Sequence, residues 1–261
     1  MHIIVATSQG KKLKQLHNPP YTWLRYIPGG MMKDLTKAAV KMLKEARTQY
    51  TGWSCGPDFV YFAGGLPDLT VKDKWEVFDG TRLYEEVYFQ EDPHGTPDRM
   101  KATINKAATD ILAHSATPVF STIVPMQIEK WNHTRLSQQK TTHLLQFHHY
   151  KDMQISLLQA TIYTNRYIHE LNNYHGVVTP SLAKTILYSR RGKYRFRHSG
   201  LEDGVHPDDE LASDWRGRLT KAMDTNDELA MPQLPAARDS VLLSWESEED
   251  VEFGLERVEF E

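Results

Sequence analysis

His2-Ile3-Ile4-Val5-Ala6-Thr7-Ser8-Gln9-Gly10 opens the chain with a β-branched, apolar run that breaks into small polar residues and a glycine. A run that is apolar at successive positions, rather than at every second one, predicts a strand buried on both faces. Thr7 to Gly10 then predicts a tight exit, with Gly10 letting the chain turn closely into a following helix. The same grammar repeats outward from this stretch. Tyr21 to Ile27 is a second run, stopped by Pro28-Gly29-Gly30, and Phe59 to Ala63 is a third, closed by Gly64-Gly65. Val119 to Val124 is a fourth, closed by Pro125. Helical stripes lie between and after them. Asp34 is placed to cap a helix with the apolar face Leu35, Ala38, Ala39, Met42, Leu43 and Ala46. Met100, Ile104, Ala107, Ala108, Ile111 and Leu112 form a second stripe, and a long helix runs from about Asp152 to Tyr174. A last helix, from about Asp208, carries Leu211, Trp215, Leu219 and Ala222.

Buried strands alternating with amphipathic helices predict an α/β three-layer sandwich with a mostly parallel central sheet. In such folds chemistry collects in loops leaving the carboxyl ends of the strands. Those loops are Thr7 to Gly10, Pro28 to Met32, Gly64 to Leu69, and Pro125 onward. Residues 70–99 look like an insertion, and the alternation Leu83, Glu85, Val87, Phe89 predicts an extra strand or flap there. The chain turns proline-rich and acidic after Met223, which divides it into a domain at 1–223 and a flexible acidic tail at 224–261.

Composition narrows the class. The 261 residues are 40% hydrophobic and 25% charged, ordinary values for a folded protein. The longest apolar runs fall short of the ~18 residues a membrane-spanning helix needs. The opening residues lack a basic region of secretory type, and the single cysteine, Cys55, cannot form an internal disulfide. Together these predict an intracellular protein, cytoplasmic or nuclear. The net charge of −3 is unevenly placed: residues 224–261 hold twelve acidic and two basic side chains, a net of −10, which leaves +7 on residues 1–223. Such a tail is solvated, or docks on a basic surface.

The sharpest local pattern is Asp203-Gly204-Val205-His206-Pro207. An aspartate three residues ahead of a histidine, across a turn stiffened by glycine and proline, can hold one imidazole nitrogen and leave the other as a general base. Ser8, at the end of the first strand, is the matching nucleophile. Taken alone, Ser8 reads first as a turn or helix-capping serine, and Asp203 and Asp208 likewise as turn and cap residues.

The order of the motifs resembles the SGNH (GDSL-type) hydrolases, over residues 2 to about 223. Val5-Ala6-Thr7-Ser8-Gln9-Gly10 resembles the family's first block, with Ser8 at the nucleophile. Pro28-Gly29-Gly30 resembles the second, whose glycine amide serves the oxyanion hole. Gly65-Leu66-Pro67-Asp68-Leu69 resembles the third, and Asp203 to Pro207 the last. The resemblance implies a flavodoxin-like, SGNH-type fold and a serine esterase working through an acyl-enzyme. Its triad would be Ser8, His206 and Asp203, with Ser8 and Gly29 amides in the oxyanion hole and Gly30 the alternative. It implies no cofactor and no metal, and a small ester as substrate. Two blocks depart from the pattern. Ala6-Thr7-Ser8 stands for Gly-Asp-Ser, and Pro67 stands where the family has an asparagine that donates to the oxyanion. Proline donates nothing from side chain or backbone, and one lost oxyanion donor costs about 10²–10³ in rate.

The competing class is an SGNH-fold interaction module with an impaired site, binding nucleic acid or protein through a basic patch. Arg190, Arg191, Lys193, Arg195 and Arg197, interleaved with Tyr194 and Phe196, form a basic patch that suits nucleic acid, an acidic substrate, or the chain's own acidic tail. Other constellations carry less. His143, His148, His149 and Asp152 have no cysteine partner and no recognised ligand spacing, and His169 and His175 are six residues apart rather than four. Cys55 has no activating neighbour in sequence.

Overall fold

The computed structural model describes residues 1–15, 22–49, 57–76, 83–88, 95–138, 150–190, 193–230 and 259–260. Its centre is a four-stranded sheet of β1 (His2–Ala6), β2 (Thr22–Tyr26), β3 (Phe59–Ala63) and, across an intervening hairpin, β6 (Thr117–Phe120). The order is β2-β1-β3-β6 and every pairing is parallel. That hairpin is β4 (Val71–Glu76) with β5 (Leu83–Tyr88), antiparallel. The helices are α1 (Met32–Gln49), α2 (Gly95–Leu112), α3 (Ile128–Gln138), α4 (Tyr150–Tyr174) and α5 (Asp209–Ala230). A second small sheet joins β7 (Leu187–Arg190), β8 (Lys193–Phe196) and β9 (Glu259–Phe260).

Alternation along the strands builds the layers. Ile3 and Val5 of β1, with Val60 and Phe62 of β3, face a core completed by Leu35, Ala39 and Leu43 of α1 and Ile104 and Ile111 of α2. Ile4, Ala6, Tyr61 and Ala63 face the opposite core, closed by Leu211, Trp215, Leu219 and Met223 of α5. Both central strands are buried at every position, whereas the edge strand β2 is only half-buried. The α/β three-layer fold with its parallel sheet is therefore the one the sequence predicts. The apolar face expected for α1 is buried throughout, as is that of α2 except Leu112, which is exposed where the helix ends.

Several boundaries differ, each for a hydrogen-bonding reason. The fourth strand stops at Phe120 rather than Val124. The Ser121 amide still donates to Phe62 O of β3, but the next peptide groups bond elsewhere, the Thr122 amide to Pro180 O and the Ile123 amide to the Asn165 side chain. Asp34 is not the residue that precedes α1. It lies in the first turn and accepts the Met31 amide from inside the helix, 3.1 Å away. The boundary expected at 224 falls inside α5. That helix continues to Ala230, with Asn226 buried against Tyr61 and Val178, and Asp227 paired to His2 at 2.9 Å. The predicted flap strand is β5, joined to β4; Phe89 lies outside the described residues.

Candidate active site

Four loops meet at the carboxyl edge of the sheet, where the strand order switches direction on either side of β1. Ser8 is the first residue of a 3-10 helix, Ser8–Gln15, that follows β1 after a single residue. The Gly10 amide donates to Thr7 O at 2.9 Å, and a Cβ on Gly10 would stand 2.3 Å from Ala6 Cβ, so only glycine permits this exit. The Thr7 amide donates to Ala63 O at 3.1 Å, which sets the Ser8 turn beside the Gly64-Gly65 exit of β3. From β2, the Ile27 amide donates to Ala6 O at 2.7 Å and brings Pro28-Gly29-Gly30 alongside.

Two residues of this second loop differ in what they can offer. The Gly30 amide is turned inward and donates to Ile27 O at 3.0 Å, and Gly30 is buried. Gly29 is exposed at the tip of the turn. The Gly65-Leu66-Pro67-Asp68 block forms a short 3-10 turn over Leu66–Asp68, with Pro67 its middle residue. Asp68 reaches back from it to accept the Met32 amide at 2.8 Å, at the start of α1 directly after Gly29-Gly30. Burial pushes the Asp68 carboxyl up to about 6, against the opposing pull of the Met32 bond.

The Asp203–Pro207 segment folds into a small loop closed by the pairing of Leu201 with Pro207, with the Glu202 amide donating to His206 O at 2.8 Å. Asp203 organises it. Its Oδ1 accepts the Val205 amide at 3.0 Å and the His206 amide at 2.8 Å, and its Oδ2 lies 2.7 Å from His206 Nδ1. Partial burial raises the Asp203 carboxyl, but the bonds from the His206 ring and the two amides outweigh it and leave it well below the usual carboxylate range. An ionised Asp203 has only acceptors to offer, so Nδ1 is the ring nitrogen that donates in this pair, and the other nitrogen, Nε2, is not engaged by Asp203. Gly204, at φ 88°, packs on the entry to α3, where a Cβ would sit 2.6 Å from Gln127 O.

Gln9 joins the serine turn to this loop. Its buried Nε2 donates to Val205 O at 3.2 Å and Val124 O at 3.4 Å, so neighbours of Ser8 and His206 are directly bonded. Lys12, one turn on, pairs with Glu202 at 2.7 Å and Asp209 at 3.0 Å on either side of the same loop. Nothing in the sequence marks Gln9 beyond its place after Ser8, because the bond spans almost two hundred residues of chain. Three amides on α4 are equally invisible. Asn172 holds the amide and carbonyl of Phe120, Asn165 those of Ile123, and Gln154 the Ile128 amide and Met126 carbonyl. They fix the segment that feeds Val124 to Gln9 and the Gln127 amide to Gly204 O, at 2.7 Å. A polar residue on an otherwise buried helix face is the one signal that points to them.

The basic patch resolves into a hairpin, with Arg190 in register with Lys193 across β7 and β8. Arg195 is half-buried and Arg197 exposed, while Arg191 lies outside the described residues, as do His143, His148, His149 and Cys55. Among the described residues, no group of three His, Cys, Asp or Glu side chains is placed to hold a metal ion, and no helix is long and apolar enough to cross a membrane.

No family model and no curated protein matches the chain. Solved structures do. A candidate acylhydrolase from Bacteroides fragilis is 12% identical, with a TM-score of 0.50 over 86% of each chain. A GDSL-like lipase from Bacteroides thetaiotaomicron is 10% identical, with a TM-score of 0.49 over 86% of this chain and 87% of the other. The psychrotrophic esterase EstA from Pseudoalteromonas is 12% identical, with a TM-score of 0.43 over 86% of this chain and 97% of its own. The chain has the α/β three-layer fold of the SGNH hydrolases.

Proposed function

We propose that the chain is a serine esterase, an acyl hydrolase that works through an acyl-enzyme. The observation that carries this reading is the Asp203–His206 pair, held at 2.7 Å in a loop that Gln9 bonds to the Ser8 turn. His206 Nε2 takes the Ser8 proton as the hydroxyl oxygen attacks an ester carbonyl, and Asp203 orients the ring and stabilises its cation. The Ser8 and Gly29 amides receive the oxyanion; Gly30, whose amide already serves the turn, is the poorer donor. The intermediate collapses to an acyl-serine and the alcohol leaves with the proton from His206. Water, activated by the same nitrogen, then releases the acid.

The test is hydrolysis of short-chain aryl esters by wild type and Ser8→Ala, with fluorophosphonate labelling alongside. Turnover and labelling that are both present in wild type and both lost in the mutant support the reading. A folded wild type that neither turns over nor labels overturns it. Pro67 favours a second reading in that event, an SGNH-fold binding module that lacks an oxyanion donor. Pro67→Asn separates the two: restoring the donor raises kcat about 10–10³-fold if the missing group limits an otherwise assembled triad. An unchanged rate shows that the asparagine is not what the site lacks.

A further inference from the structure

β8 has two edges. β7 pairs with one of them in the antiparallel hairpin, and β9 lies on the other, parallel, with Arg195 opposite Glu259 and Phe196 opposite Phe260. The hairpin and its flanks, residues 189–198, carry five basic residues and no acidic one. Residues 231–261, which follow α5 and include β9, carry nine acidic and two basic residues. Glu259 and Phe260, near the end of the most acidic stretch, thus lie beside the most basic one, with Arg195 and Glu259 at opposing register positions. An unpaired strand edge is a ready template for another extended segment, and its main-chain groups supply affinity while side chains choose the partner.

We propose that the β8 edge is a docking site for an acidic, extended peptide segment, and that residues 231–261 occupy it in cis. The backbone ladder fixes the register at Arg195 and Phe196; the surrounding charge selects an acidic strand over a neutral one. Phe196 is fully buried in the α5-side core, and the chain runs from it through Arg197 straight into the loop that holds Asp203 and His206. The paired positions Arg195 and Phe196 therefore lie a few residues before that loop in the chain. This inference rests on strand pairing and charge, independently of whether Ser8 is a nucleophile.

Cysteine pairing in the full chain tests it. In a Cys55→Ser background, Arg195→Cys with Glu259→Cys places two thiols on neighbouring strands, where Cα separations of about 5 Å suit a disulfide. Arg195→Cys with Ser244→Cys is the control, its second thiol on the same acidic segment but outside β9. The expected result is an intramolecular disulfide at 195–259 formed at least about fivefold faster than in the control. Equal rates at the two positions overturn the docking, and a covalent dimer in place of the internal link overturns occupancy in cis. The charge contribution is read separately, because the cysteine pair removes one charge of each sign. A labelled peptide of residues 251–261 is titrated into wild type and into a chain whose acidic residues from Glu246 to Glu261 are replaced by Gln or Asn. The peptide should bind the neutralised chain about tenfold more tightly, and lose that advantage when salt rises from about 0.05 M to about 1 M. Equal affinity for the two chains, or binding indifferent to salt, overturns the proposal.

Discussion

Gln9 shows how much of the proposed site's assembly rests on a residue outside the proposed triad. Ser8 and His206 come from segments far apart in sequence, and one buried amide spans the gap between their neighbours. Replacing it with leucine keeps the volume and removes the bond to Val205 O. We expect Gln9→Leu to lower kcat about 10–10²-fold with KM little changed, since small displacements of reacting groups are costly. Steady-state kinetics checks this, and a rise in KM with kcat intact would show that Gln9 touches substrate binding instead. Asp68 makes a different prediction, one of stability. Its folded-state value of about 6 lies above its ordinary carboxylate range, so the folded protein binds a proton the unfolded chain has released. Stability from this group is complete below about pH 4, falls as pH rises, and is lowest above about pH 6. Asp68→Asn keeps an acceptor for the Met32 amide and removes the buried charge. It should stabilise the protein by about 1–3 kcal/mol at pH 7 and by little at pH 4, read as denaturant midpoints across that range.

At the scale of elements, the sequence is most legible where one element's own period determines its burial. Ile3, Ile4 and Val5 announce a strand covered on both faces, and Leu35 to Ala46 announce the buried side of α1, with no help from distant residues. Asp203 and His206 were legible for the same reason, because their partnership spans three residues and a turn. The misread ends are those set by long-range bonds. Nothing between Ser121 and Val124 says that the ladder to β3 has run out, or that Asn165 takes the next backbone groups. Nor does the acidic composition after 224 reveal that Asn226 is buried under the sheet. The α4 amides carry a prediction of their own. Asn165 accepts the Ile123 amide at 2.6 Å and donates to its carbonyl at 2.9 Å, both buried. Asn165→Ala strands the two backbone groups together, and should cost about 2–4 kcal/mol in chemical denaturation. A loss under 1 kcal/mol would mean that the loop after β6 finds other partners, and that α4 is not what holds it.

For the whole molecule the decisive quantity is where charge sits. A net charge of −3 argues against a polyanion partner, yet residues 1–223 carry +7 and concentrate five cations on one hairpin. Long-range attraction of nucleic acid depends on which of these an approaching strand meets. With the acidic segment docked on β8, the strand meets a surface already neutralised, and wild type should bind single-stranded oligonucleotide weakly even at low salt. Neutralising the acids from Glu246 to Glu261 uncovers the hairpin without altering the central sheet or the Asp203–His206 loop. If the hairpin is a nucleic-acid surface, binding then emerges, with log K falling against log salt at a slope of about −3 to −4, as expected for about five phosphate contacts on a single strand. Fluorescence anisotropy over a salt series measures that slope. Replacing Arg190, Arg195 and Arg197 with glutamine in the same background should lower its magnitude by about 2, at roughly 0.7 per cation lost. A slope near zero in the neutralised chain would exclude the nucleic-acid role and leave the hairpin as a surface whose recognised polyanion is an acidic peptide.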